Sequence, residues 1–209
     1  MKRMHMAIVV GSMLGLVAML VLSVLAGDSY AYNTELASLL LLAIPAWCLV
    51  RETVVLPWPI LLGIGLSLFL HSLGLVTGWY HTTGWWDGLT HFVSGITVAA
   101  LAAVVLIVVI VSSKKIRVPV SWVPFLILTA VLTMEATWEI LEFSIDAITG
   151  TVMQHGLADT MEDIMANTAS GIIAGLGFAL YISRASLREL VDGMRVGRVV
   201  AWARRRFPD

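Results

Sequence analysis

The sequence predicts an all-α integral membrane protein with about six transmembrane helices. Its 209 residues are 59% hydrophobic and 13% charged, with a mean hydropathy of +0.91, whereas about a quarter of the residues of a soluble domain are charged. The apolar runs are long and continuous rather than alternating, which favours helices over a transmembrane barrel. The one cysteine, Cys48, excludes an intramolecular disulfide and a cysteine-based zinc site.

Three membrane helices are predicted in the first part of the chain. The first covers residues 7–26, a run longer than the roughly 7–15-residue apolar region of a signal peptide. The second covers residues 36–50, begins after Asn33-Thr34-Glu35, which is typical of a helix start, and contains Pro45, which we expect to kink it. The third covers residues 57–79 and has tryptophans near both ends, as is typical of membrane interfaces.

Three further helices are predicted over residues 87–111, 123–148 and 159–182. The fifth helix is apolar in its first half and acidic in its second half. We therefore expect residues 1–183 to form a six-helix transmembrane domain.

The C-terminal segment, residues 184–209, mixes arginines with apolar side chains. This composition predicts a basic amphipathic helix that lies on an anionic membrane surface, so membrane lipid is an expected partner. Its residues of these two kinds include Arg184, Arg188, Arg195, Arg198, Arg204, Arg205 and Arg206, with Leu187, Leu190, Val191, Met194, Val199, Val200 and Trp202.

Six spans place both termini on one side of the membrane. All thirteen Lys and Arg residues then fall on that side: Lys2, Arg3, Arg51, Lys114, Lys115, Arg117 and the seven arginines of the tail. By the positive-inside rule this side is cytoplasmic. The sequence therefore predicts a protein of the cytoplasmic (inner) membrane with both termini in the cytoplasm.

Polar stripes occur on the last three predicted helices, always in the half that faces away from the cytoplasm. An ionisable group costs roughly 2.5–3.5 kcal/mol near the centre of a membrane helix, so such groups normally face a protein interior or a water-filled cavity. The stripes are Asp87 and His91 on the fourth helix, Glu135, Glu139, Glu142 and Asp146 on the fifth, and Asp159, Asp163 and Asn167 on the sixth. We expect them to meet in one cavity near the outer face.

No Lys or Arg lies near these carboxylates to balance their charge. Protons, histidines or a bound cation must do so, and nitrogen and oxygen ligands suit Zn²⁺, Mn²⁺ or Mg²⁺. The predicted metal ligands are His91, Glu139, Glu142, Asp159 and Asp163. We expect Asp87, Glu135 and Asn167 to contact either these ligands or a substrate.

A purely structural interpretation stays open. Asp87 and Asp159 stand at predicted helix starts, where a carboxylate commonly caps N–H groups. The whole cluster could also serve only to hydrogen-bond helices together, and His71 is expected to be a single interhelical hydrogen-bond partner.

The order and spacing of several of these residues resemble those of known membrane-protein families. The run His91-xxx-Gly95, then Trp138-Glu139-xx-Glu142, then Gly156-xx-Asp159-Thr160-xx-Asp163 resembles the YjdF-like family of prokaryotic integral membrane proteins, whose biochemical function is not established. The run Asp163-xxx-Asn167-xxx-Gly171 with Asp87 and His91 is similar to the broader VanZ-like group, which is linked to glycopeptide resistance and cell-envelope phenotypes. The resemblance covers about residues 79–180 and leaves out the tail.

Three functions are compatible with the sequence. The first is a metal-assisted hydrolase or transferase acting on a lipid or lipid-linked envelope substrate, with Glu139, Glu142 or Asp163 as general base. The second is a proton- or cation-coupled transporter, although the cytoplasmic helix halves offer no matching polar path. The third is a non-catalytic membrane scaffold.

No nucleotide-binding glycine loop, hydrolase elbow or haem motif is present, and no nucleic-acid partner is expected. The spacings Gly11-xxx-Gly15 and Gly171-xxx-Gly175 permit close helix packing within one chain or between copies in a homo-oligomer.

Overall fold

A computed structural model describes residues 2–113, 115–184 and 187–206 of the chain. All its regular elements are helical: α1 (Lys2–Ala26), α2 (Ser29–Val50), α3 (Trp58–Thr77), α4 (Trp79–Thr82), α5 (Trp86–Ser112), a 3₁₀ turn (Val120–Trp122), α6 (Val123–Thr149), α7 (Leu157–Ile182), α8 (Leu187–Gly193) and α9 (Gly197–Arg206). Six of these, namely α1, α2, α3, α5, α6 and α7, are long and apolar enough to cross a membrane. The prediction of an all-α polytopic membrane protein is confirmed.

Helix α2 begins at Ser29, well before the predicted start at residue 36. The Asp28 carboxylate caps it by accepting a 3.0 Å hydrogen bond from the backbone N–H of Ala31. Gly27, with φ +70°, provides the left-handed turn that joins α1 to α2. As a result Glu35, predicted to mark the helix start, lies inside the helix and is completely buried.

The bundle contains two packed groups of helices. Helix α1 packs against α2 and α3, whereas α5, α6 and α7 pack against one another, and α3 joins the groups by packing on α5. Helices α6 and α7 approach closely because Gly175 faces the Pro124 backbone, where an added Cβ would lie 2.9 Å from Cα of Pro124. The Gly171-xxx-Gly175 spacing therefore serves a contact within the chain.

The half of the bundle opposite the polar stripes is filled with apolar side chains. Buried aliphatic residues of α5 and α6 form its core: Ala99, Ala103, Val123, Ile127 and Val131. This apolar packing leaves the polar groups of α5, α6 and α7 in the other half.

The C-terminal tail differs from the single surface helix that was predicted. Its two short helices meet at a bend where Arg195 has a φ of +53°. Val191, Met194, Val196 and Val200 are buried against Ile107 of α5. These apolar side chains of the tail therefore pack against the membrane-spanning helix α5.

Polar contacts hold the tail to the α2–α3 loop. The Val55 N–H donates a 2.8 Å hydrogen bond to the Met194 carbonyl, and Arg195 pairs with the Glu52 carboxylate. Lys2 also pairs with Glu52, at 2.5 Å. Lys114 of the predicted basic loop and the side chains of Arg188, Leu190, Arg198, Trp202, Arg204 and Arg206 lie outside the described residues.

Candidate functional site

His91 of α5 is the meeting point of the three polar stripes. Its Nε2 lies 3.4 Å from Asp87 Oδ1 on the same helix and 3.8 Å from Asp163 Oδ1 on α7. Its Nδ1 lies 3.2 Å from Glu135 Oε2 on α6. His91, Glu135 and Asp163 are 8%, 5% and 2% exposed, so the cluster lies inside the protein. The structure thus brings residues of all three stripes together, as the sequence predicts.

Asn167 of α7 completes this cluster. Its Nδ2 donates a 2.5 Å hydrogen bond to Glu135 Oε2 and lies 3.0 Å from His91 Nδ1. Gly95 makes the close approach of α5 and α7 possible, because a Cβ at that position would collide with the side chains of Asn167 and Ser170. One amide therefore contacts both α5 and α6.

Three of these residues have the geometry of a cation site. One ligand atom each from Asp87, His91 and Asp163 lies within 4.8 Å of the other two. Ligands held about 2.1 Å from a tetrahedral Zn²⁺ are roughly 3.4 Å apart. The His91 Nε2 distances of 3.4 and 3.8 Å to the two carboxylates are close to that spacing. The residue at the N-cap of α5 is Trp85 and not Asp87. The Asp87 carboxylate accepts a 3.5 Å hydrogen bond from Thr90 Oγ1 and belongs to the group of three.

The other predicted ligands have different partners. Glu139 Oε2 accepts hydrogen bonds from Thr160 Oγ1 at 2.7 Å and Gln154 Nε2 at 3.1 Å. Glu142 Oε1 accepts a 2.7 Å hydrogen bond from Trp138 Nε1.

Two further carboxylates of the stripes order the α6–α7 loop. Asp159 Oδ2 accepts a hydrogen bond from the His155 N–H at 3.0 Å, in the loop before α7. The expected cap is not formed, because Gly156 precedes α7 and no side chain caps the helix. Asp146 accepts hydrogen bonds from Thr151 Oγ1 and from the N–H groups of Met153 and Gln154. Neither carboxylate belongs to the group of three around His91.

An open cavity of about 610 Å³ lies beside the cluster, between α2, α3, α5, α6 and the adjoining loops. Its lining is mostly apolar and includes Leu41, Leu68, Leu75, Met134 and Leu141. Its ionisable side chains are Asp28, His71, Tyr30, Tyr80, His81, Asp87, His91, Glu135, Glu142 and His155. Asp87 and His91 therefore face the cavity from the group of three, while Asp163 lies behind them.

Helices α2 and α6 form two walls of this cavity, and neither is a main packing partner of the other. Among the described residues, α2 packs on α1 and α3, and α6 packs on α5 and α7. Leu41 of α2 and Leu141 of α6 line the cavity, belong to membrane-spanning helices and are 55% and 49% exposed. The gap between the two helices is thus an opening at the level of the membrane-spanning segments.

A hydrogen-bonded chain that the sequence did not reveal joins the far wall to the cluster. His71 Nδ1 lies 2.8 Å from the Tyr80 hydroxyl, which donates to Thr90 Oγ1 at 3.4 Å. Thr90 Oγ1 in turn donates to the Asp87 carbonyl at 2.8 Å. Burial raises the pKa of the Tyr80 phenol well above its ordinary value of 10.0, so Tyr80 keeps its proton. The only advance signal was His71, the one titratable residue of its helix.

Comparison with known proteins identifies a family but no characterised relative. The profile of a family described as "Predicted membrane protein (DUF2238)" matches residues 8–184. No curated protein and no solved structure matches the chain. The YjdF-like resemblance agrees with this family, whereas the VanZ-like similarity is not reproduced by the comparison.

Proposed function

The chain belongs to the DUF2238 family of predicted membrane proteins, and from that premise we propose that it is an intramembrane enzyme. The proposed reaction is a metal-assisted hydrolysis or group transfer on a lipid or lipid-linked substrate of the cell envelope. The observation that carries the proposal is the group of Asp87, His91 and Asp163, of which Asp87 and His91 line a mostly apolar cavity and Asp163 lies behind them.

A metal held by Asp87, His91 and Asp163 would have the three protein ligands of a catalytic rather than a structural site. Catalytic zinc sites keep three protein ligands and leave one position for water or substrate. Asp87 and His91 line the cavity, so a fourth position would point into it. A divalent metal bound there would polarise a phosphoryl or acyl oxygen and lower the pKa of a bound water.

Two glutamates are placed to handle protons in the cavity. Glu135 lines it and holds His91 Nδ1 through Oε2, while its buried Oε1 has no hydrogen-bond partner in the described part of the chain. Glu142 also lines it and is oriented by Trp138. We assign the general base to one of these two, and Glu139, which does not line the cavity, to holding Thr160 and Gln154.

A lipid substrate is supported by the opening between α2 and α6. A substrate that enters from the bilayer can leave its chain among apolar side chains while its headgroup reaches the cluster.

Metal analysis of the purified full-length protein tests the proposal. We expect near-stoichiometric zinc or manganese in the wild type and a loss of most of it in H91A and D87N. The control is E162Q, which removes an exposed carboxylate from α7 outside the cavity. A folded wild type that takes up no divalent metal during titration would overturn the metal-assisted reaction.

A scaffold is the second candidate, because the contacts of Asn167 also fasten α5, α6 and α7 together. E135Q separates the two functions. For an enzyme, the variant should fold and lose turnover of a lipid substrate, whereas for a scaffold it should lose folding stability and nothing else.

We also propose that the protein lies in the cytoplasmic membrane with both termini in the cytoplasm, on the strength of the one-sided Lys and Arg distribution. Reporter fusions at the two ends of the chain test this orientation. Activity of an exported reporter at either terminus would contradict it.

A further inference from the structure

We infer that the cavity selects a membrane lipid whose headgroup carries an ammonium group. This inference rests on the proposed function and names the substrate class of the same site. It depends on the charge of the cavity, on an aromatic wall beside Glu142, and on one buried oxygen that has no partner.

The charge of the cavity favours a cation. The described residues that line it include Asp28, Asp87, Glu135 and Glu142 but no Lys or Arg. Its histidines are the other groups that could carry positive charge. A divalent metal held by Asp87 and Asp163 would be balanced by these two carboxylates, which leaves Asp28, Glu135 and Glu142 uncompensated. An ammonium group would be attracted to these three carboxylates, whereas an anionic headgroup would be repelled by them.

An aromatic wall stands next to one of the carboxylates. The rings of His71 and Trp138 meet edge to face with centroids 5.9 Å apart, and those of His71 and Tyr80 lie 5.6 Å apart. All three rings line the cavity, and Trp138 Nε1 holds the Glu142 carboxylate at 2.7 Å. Carboxylates combined with Trp and Tyr faces are the groups that bind primary and quaternary ammonium ions in proteins.

Glu135 provides an independent sign of a missing partner. Only 5% of the Glu135 side chain is exposed, and this side chain lines the cavity. Oε2 is bonded to Asn167, but Oε1 has no hydrogen-bond donor among the described residues. A buried acceptor without a donor is costly. The N–H of a primary ammonium group, or a water carried in with a quaternary ammonium group, would supply the donor.

The chain of the lipid explains the rest of the lining. Leu41, Leu68 and Leu141 form apolar walls that continue to the opening between α2 and α6. A small soluble ammonium compound would leave these walls empty. We therefore assign the site to a lipid and not to a free amine.

Binding to the full-length protein in a neutral maltoside detergent tests the inference. The probes are decyltrimethylammonium, decyl phosphate and choline, each titrated into metal-loaded and chelator-treated protein. We expect decyltrimethylammonium to bind at least tenfold more tightly than decyl phosphate or choline. Tighter binding of decyl phosphate would overturn the ammonium assignment, and equal binding of choline would overturn the lipid assignment.

Two pairs of variants locate the binding. E142Q removes a cavity charge and W138L removes an aromatic face, and each should weaken decyltrimethylammonium binding by roughly 5- to 30-fold. The matched controls are E162Q and W122L, which alter exposed residues that do not line the cavity. Unchanged binding in both E142Q and W138L would contradict the site.

The outcomes for the two proposals can be told apart. Ammonium selectivity without any metal uptake would contradict the metal-assisted reaction alone. Metal uptake that depends on His91, together with a preference for the anionic probe, would contradict the headgroup assignment alone.

Discussion

At the scale of single residues, the Asn167 amide connects α7 to α5 and α6. It donates to Glu135 on α6 and lies beside His91 on α5. Interhelical hydrogen bonds in membrane proteins contribute about 0.6 kcal/mol on average and up to about 1.7 kcal/mol. The contribution of Asn167 should lie near the upper end of this range because its contacts are buried.

We expect N167A to lower the free energy of unfolding by about 1–2 kcal/mol, measured by steric trapping or mild denaturant unfolding in micelles. T168A is the matched control, since the Thr168 hydroxyl bonds only within its own helix, to the Ile164 carbonyl at 2.7 Å. A loss in N167A no larger than in T168A would show that the amide adds nothing to helix association.

Glu35 shows where residue-level inference from the sequence fails. An acidic residue after Asn33 and Thr34 is typical of a helix start, and the sequence therefore predicts that α2 begins there. In the structure Asp28 is the cap, and the Glu35 side chain is completely buried, beside the buried Ser72 hydroxyl. The preceding Gly27-Asp28 pair was the better signal, because glycine followed by a capping residue marks a turn between helices.

At the scale of helices, α6 and α7 depend on a glycine for their close contact. A Cβ on Gly175 would lie 2.9 Å from Pro124 Cα and 3.0 Å from Pro124 O. Because both atoms belong to the backbone, the helices would have to move apart. The contact also fixes the register that brings Asp163 and Asn167 to His91.

We expect G175A to cost about 1–3 kcal/mol of unfolding free energy through this overpacking. G177A is the matched control on the same helix, where an added Cβ meets nothing within 4 Å. It should be neutral or stabilising by up to about 1 kcal/mol, because alanine is the better helix former. Equal effects of the two substitutions in the same unfolding measurement would disprove the close-contact explanation.

The tail helices are held at Glu52, where Lys2 and Arg195 converge. The hydrogen bond from Lys2 and the attraction of Arg195 hold the pKa of the Glu52 carboxyl below its ordinary value of 4.5. A lowered pKa in the folded state stabilises docking above the ordinary value, and this contribution is lost as the pH falls through the lowered pKa. Docking should therefore not change between pH 6 and 8.

We expect E52Q to raise amide hydrogen exchange at residues 194–196 roughly two- to fivefold at neutral pH, a modest effect because the ion pairs are exposed. D192N makes the same change of charge within the tail and should leave that exchange unchanged. Exchange that is equally fast in wild type and E52Q would mean that the apolar contacts of Met194 and Val196 hold the tail without the ion pairs.

At the scale of the whole molecule, hydropathy predicted the six membrane helices, and helical spacing predicted that the polar stripes meet. Spacing fixes the face of a helix but not the partner that a side chain reaches, so Glu135 and Glu139 share a stripe yet bond to different groups. The contact of Tyr80 with His71 and Thr90 was not predicted, because Tyr80 lies in a short helix outside the stripes. The opening between α2 and α6 depends on how two distant segments pack, which no local pattern records.

That opening makes a prediction about the route of the lipid. Cysteines introduced as A37C and L141C, in a C48A background, stand on the α2 and α6 walls of the cavity. Bis-maleimide cross-linkers of graded length should close the opening when they are short enough to hold the helices together. We expect the shortest linker that reacts at both sites to slow decyltrimethylammonium binding at least tenfold.

Doubly labelled protein with one N-ethylmaleimide on each cysteine is the control, because it adds similar bulk without joining the helices. It should bind the probe at close to the unmodified rate. If the cross-linked protein also binds at that rate, the probe enters past the outer loops near His81 and His155, which line the same cavity. The lateral route would then be wrong, while the metal and headgroup assignments would stand on their own tests.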